Sequence, residues 1–280
     1  MKQCPYCGRQ HSDAAELCEI DGELLTAGAP TATSVPSTSV ATTAPAAPQP
    51  HAFTDRQFRF MELGLVCLLA FGGSILVSTC DLFHVDYGHT NITAWGWAIQ
   101  FLHEISVLAL LWYLLLRRGK SFADLGLVWA WRDLGWFVLL KVVTGTAYYL
   151  IYYVLYYCLP GDTDSLATAS RHTGNLLFGG GVNFMTLAFA FLNPFYEELV
   201  ARAFVMTEIK ELTNSTTLAI VISTALQTSY HFYQGVPAAL SLGAVFLVFS
   251  LFYAKTKRLT PVILAHQYDD IRSTVYYMFR

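Results

Sequence analysis

The sequence predicts an all-α fold, a polytopic helical membrane bundle of about seven spans with a small zinc-ribbon-like head at its N-terminus. Three observations predict it. Residues of the AVILMFWYC set make up 54% of the chain and charged residues only 13%, where soluble domains carry about 25% charged. The apolar residues fall into separate runs, each long enough to cross roughly 30 Å of hydrocarbon. Lys and Arg collect in the short segments between those runs, as the positive-inside rule describes.

The spans are expected at about 60–82, 92–116, 134–158, 183–209, 216–235, 237–254 and 261–279. Helices are the expected form because hydrocarbon offers a backbone no other partner than itself. The stretch 121–132 is too short and too mixed to span. With Trp129, Trp131 and the nearby Trp136 it reads as an interfacial segment. Arg56 and Arg59, then Arg117, Arg118 and Lys120, then Lys210, then Lys255, Lys257 and Arg258 all fall on one side if the crossings are odd in number. That side is expected to be the cytoplasm, with the N-terminus on it; Arg272 and Arg280 are exceptions. A net charge of −3 gives no reason to expect nucleic acid as a partner. The partner expected on composition is the lipid bilayer.

Two segments precede the spans. Residues 26–52 are almost entirely Ala, Thr, Ser and Pro and cannot bury a core, so they read as a disordered tether. Residues 1–25 are polar and cysteine-bearing, unlike a signal peptide. Cys4-Pro-Tyr-Cys7 and, ten residues on, Cys18-Glu-Ile-Asp21 are two knuckles with ligands at short spacing, the pattern of a tetrahedral structural zinc. Cys4, Cys7, Cys18 and Asp21 are the expected ligands, with His11 a rival for the fourth place. The head resembles a zinc ribbon whose last cysteine is missing. Cys67, Cys80 and Cys158, in or near the apolar runs, read as small buried hydrophobes.

The chemistry lies in ionisable residues inside the later spans, where a charge at the bilayer centre costs about 2.5–3.5 kcal/mol on insertion scales. Span four carries Asn193-Pro194-Phe-Tyr-Glu197-Glu198-Leu-Val-Ala-Arg202. Glu198 and Arg202 share a helical face at i,i+4 and can pair. Glu197 points about 100° away, without an obvious cation, and suits a general base. Pro194 favours a kink beside them. His231 lies in span five; His266 and Asp270 are i,i+4 in span seven. Glu197, His231, His266 and Asp270 form a nitrogen and oxygen donor set that can hold a hydrolytic zinc or, without metal, a water molecule. His103-Glu104 in span two lacks the second histidine of a zincin and reads as a packing or supporting pair.

Glu197-Glu198-x-x-x-Arg202, Ser229-Tyr230-His231 and His266-x-x-x-Asp270 resemble, in order and spacing, the three motifs of the CPBP membrane endopeptidases, the CAAX-processing and bacteriocin-processing (Abi) family. The resemblance covers roughly residues 60–280, within a protease domain expected at 53–280. It implies a multi-helix intramembrane protease with a cavity open to the cytoplasm and a membrane-associated or prenylated protein or peptide as substrate. Glu197 would activate water beside His231, and Glu198 with Arg202 would hold helix four in place. His266 and Asp270 would orient the water or stabilise the oxyanion, with or without a metal. Gln227 stands where the second motif has Phe, and Asp270 where many members have Asn. A non-catalytic scaffold or bacteriocin self-immunity protein of the same fold is the alternative, and a proton-coupled transporter a third.

Overall fold

A computed structural model describes residues 2, 3, 10–12, 15, 54–83, 85, 91–158 and 173–279. The chain divides into two compact units, Met1–Ala52 and Phe53–Arg280. In the first unit, strands β1 (Lys2–Gln3) and β2 (Gln10–His11) pair antiparallel, Lys2 opposite His11. His11 is thus a strand residue; Cys4, Cys7, Cys18, Asp21 and the tether 26–52 lie outside the described residues.

The second unit is a bundle of α1 (Asp55–Leu82), α2 (Ala94–Arg117), α3 (Arg132–Cys158), α4 (Phe184–Glu197), a π-helical segment (Glu198–Phe204), α5 (Val205–Thr213), α6 (Thr216–Ser229), α7 (Val236–Thr256) and α8 (Thr260–Met278). A short helical stretch over 173–178 precedes α4. Helix starts follow the sequence: Thr54 forms a capping box with Gln57, Asn183 caps α4 and Ser215 caps α6, each satisfying amides that have no intrahelical partner.

Helices α1, α2, α3 and α7 are long and apolar enough to cross a membrane. Only 11% of the most apolar window of α3 is buried within the protein, and Val138, Val142, Leu150 and Val154 face outward. A soluble protein does not expose apolar area on this scale. The protein is an integral membrane helical bundle.

α4, the π segment and α5 run on without a break from Phe184 to Thr213, beyond the expected end at 209. Every residue from Tyr196 to Met206 is buried, so this stretch is the axis on which α1, α2, α6 and α8 pack. α6 corrects the sequence reading in the other direction. It stops at Ser229 rather than 235, and the chain turns through Phe232–Gln234 before Gly235, at φ 88°, starts α7. Fourteen residues rise only about 21 Å, less than the hydrocarbon thickness. The cysteines are also corrected: Cys158 is exposed, and Cys67 and Cys80 are half-buried.

The interfacial segment is stitched to the turn between α7 and α8. Leu259 donates its amide to Gly126 O at 2.9 Å and Thr260 Oγ1 bonds Val128 O at 2.8 Å. Arg258 grips both carboxylate oxygens of Asp133 at 2.6 Å. Those bonds set where α8 begins, and therefore where His266 stands.

Candidate active site

The centre of the site is built on the π segment. Pro194 has no amide to give and the ladder widens just after it; such segments are rare and frequent at functional sites. Glu198 opens the segment and Arg202 lies within it, both fully buried, with Arg202 Nε 3.0 Å from Glu198 Oε2. A buried ion pair holds only if its remaining hydrogens and lone pairs are also met. Arg202 meets this by donating to Ser223 Oγ at 3.2 Å, to Ser250 Oγ and to Gln227 Oε1. Gln227 then turns its own amide to Glu198 Oε1 at 3.2 Å. The glutamine at this position is therefore a bridge between the two charges, something a phenylalanine could not be.

His266 Nδ1 lies 2.9 Å from Glu198 Oε1. A carboxylate only accepts, so Nδ1 carries the hydrogen and the ring is fixed in orientation. Its other nitrogen, Nε2, looks toward Glu197 Oε2 at 4.0 Å and Asp270 Oδ1 at 3.7 Å. These separations are too long for direct hydrogen bonds and suit a bridging water. Glu197 is held by Tyr230, whose hydroxyl donates to Oε2 at 2.8 Å. Asp270 accepts from Asn193 Nδ2 at 3.1 Å.

His231 stands just past the end of α6. Its Nδ1 bonds the Gln227 carbonyl at 2.8 Å, which leaves Nε2 for another partner. Its ring packs on Phe246 with centroids 4.9 Å apart, and that of His266 lies 6.5 Å from the same phenylalanine. Phe246 is the central residue of α7, so both histidines stand at the middle of that helix. The early end of α6, at Ser229 rather than 235, places His231 in the turn where it meets Phe246.

Of the residues expected at the site, Glu197, Glu198, Arg202, His266 and Asp270 are joined by these contacts, and His231 is linked through Gln227. Tyr230, Asn193, Gln227, Ser223 and Ser250 were not foreseen as partners. Their only signal was a polar group inside an apolar run. His103 ties α2 to α1 through Leu69 O at 2.9 Å, as a packing residue does.

Both histidines have Nδ1 engaged by the protein and Nε2 left for another partner, an arrangement that metal-binding imidazoles also have. Among the described residues, no three His, Cys, Asp or Glu side chains gather as a metal-holding group.

Beside the site, α2, the interfacial segment and α4 enclose a groove of about 340 Å³ lined only by apolar side chains, among them Leu108, Phe122, Leu127, Phe191, Phe195 and Leu199.

No curated protein and no solved structure matches the chain. The family model of Rce1-like proteins, the type II CAAX prenyl endopeptidases, matches residues 180–271, the segment that supplies every side chain of the Glu198–Arg202 network and its neighbours Glu197, His231 and Asp270. Over this segment the chain is similar to the CAAX-processing membrane proteases.

Proposed function

We propose that this protease hydrolyses a peptide bond of a prenylated or otherwise membrane-held protein by direct attack of a water activated by Glu197. The observation that carries the reading is the convergence of Glu197 Oε2 and Asp270 Oδ1 on His266 Nε2, at 4.0 and 3.7 Å, separations that a water can bridge. Glu197 takes a proton from that water as its oxygen bonds the scissile carbonyl carbon. The carbonyl oxygen becomes negative and is met by the Nε2 hydrogen of His266 in its doubly protonated form, while Glu198 holds the Nδ1 hydrogen of that ring. His231, through its free Nε2, lies on the same level and assists the water. Glu197 then passes the proton to the scissile nitrogen, and the C–N bond breaks to release the amine. Glu198, Arg202 and Gln227 position the ring and touch no substrate.

The apolar groove takes the lipid chain, which its wholly apolar lining matches. In this reading the N-terminus is cytoplasmic, and the head holds a structural zinc through Cys4, Cys7, Cys18 and Asp21. The test is a fluorogenic peptide offered with and without a prenyl group on its cysteine. Wild-type protein cleaves the prenylated form at least tenfold more efficiently, and Glu197→Ala cleaves neither. Equal cleavage of both forms contradicts the substrate class; cleavage by Glu197→Ala contradicts the base.

A further inference from the structure

Trp97, Glu104, Val107, Leu111 and Leu114 are buried along one stripe of α2, and that helix packs against α4. A carboxylate thus stands in the middle of an apolar contact. Trp97 rests on Phe189 with ring centroids 4.6 Å apart, and His103 meets Tyr196 edge-on at 6.2 Å. The two contacts advance together along parallel helices, so Glu104 falls at the level of Glu197.

Glu104 is only 2% exposed, and its Oε2 is buried with no hydrogen-bond partner among the described residues. Buried polar atoms are almost always paired, and an orphan calls for a cause. Packing is a poor one, since a leucine fills such a stripe without the cost. The gap between Glu197, His266 and Asp270 already has acceptors for a water. What an additional acceptor lacks is a donor, and the donor a peptide carries at its reacting centre is the scissile N–H.

We propose that Glu104 is a further catalytic residue, whose free Oε2 accepts the hydrogen bond of the scissile amide nitrogen. The proposal rests on the Glu197 reading above. Glu104 makes and breaks no covalent bond. The nitrogen keeps its own hydrogen and gains the one Glu197 took from water. The bond to Oε2 strengthens as that nitrogen becomes positively charged, so it stabilises the transition state more than the bound substrate.

The test uses the full chain, a prenylated fluorogenic peptide, and the same peptide N-methylated at the scissile nitrogen. For Glu104→Gln and Glu104→Leu, kcat on the normal peptide falls about tenfold or more with KM within threefold. N-methylation slows the wild type but costs Glu104→Leu nothing further, the coupling a double-mutant cycle isolates. The melting temperature of Glu104→Leu is equal to or above that of the wild type. Unchanged kcat, a methylation penalty that persists in Glu104→Leu, or a lower melting temperature overturns the proposal. If Glu197→Gln cleaves as fast as the wild type, the reading of the site itself fails. The melting measurement then still decides whether Glu104 is merely structural.

Discussion

Arg202 is the side chain on which the site depends without acting in it. It is fully buried and bonded to Glu198, Ser223, Ser250 and Gln227, so removing it strands the Glu198 charge among apolar neighbours. Arg202→Met is expected to lose about 3–5 kcal/mol of stability, read by thermal melting in detergent. Replacing both members, Glu198→Leu with Arg202→Met, should recover a large part of that loss, because no unpaired charge remains. The double variant should stay inactive, since His266 has lost its orienting carboxylate. Gln227→Ala removes the bridge but neither charge, and about 1–3 kcal/mol is expected. The i,i+4 pairs were legible in the sequence because the helical period alone puts Glu198 beside Arg202 and His266 beside Asp270. Gln227, Ser223, Ser250 and Tyr230 were not, because an uncharged polar residue in an apolar run gives no hint of which helix it faces.

At the scale of elements, Gly126 shows how a surface segment fixes a buried histidine. Its φ is 88°, and a Cβ there would lie 2.1 Å from Lys257 O. Gly126→Ala is expected to destabilise by about 1–3 kcal/mol. It should also lower kcat by displacing the start of α8 and with it His266, a loss that a substitution at exposed Gly119 does not share. Melting curves and turnover on the two variants check this. The limits of α6 and α5 were misread for opposite reasons. Residues 230–235 carry three aromatic side chains between two apolar runs and were read as part of the span, although Gly235 followed closely by Pro237 marks a stop. Glu208, Lys210 and Glu211 cut a hydropathy run short, although the helix continues because the two glutamates have cations waiting.

Those cations organise the molecule as a whole. Arg59 bonds Glu208 at 2.8 Å and Glu211 at 2.6 Å, Arg118 bonds Glu208 at 2.6 Å and also Glu62, and Lys120 reaches Glu211 at 3.3 Å. Three of the basic clusters that the sequence assigned to one side thus meet at one end of the bundle. If that end is cytoplasmic, a tag at the N-terminus should be cut by added protease in inverted vesicles and protected in right-side-out ones. Protection in inverted vesicles contradicts the orientation. The head gives a separate prediction. Purified full-length protein should carry one zinc per chain by elemental analysis. Cys4→Ser with Cys7→Ser should remove it and leave cleavage of a soluble-tailed reporter unchanged.

The claim that Glu197 is the base is tested most directly by turnover of a prenylated fluorogenic peptide by wild type and Glu197→Gln, compared at equal folded concentration. The glutamine keeps the shape of the side chain and an oxygen for the Tyr230 hydroxyl but cannot take a proton. The expected result is a fall in kcat of about 10²–10⁴-fold with an unchanged melting temperature. A kcat within a few-fold of wild type contradicts it.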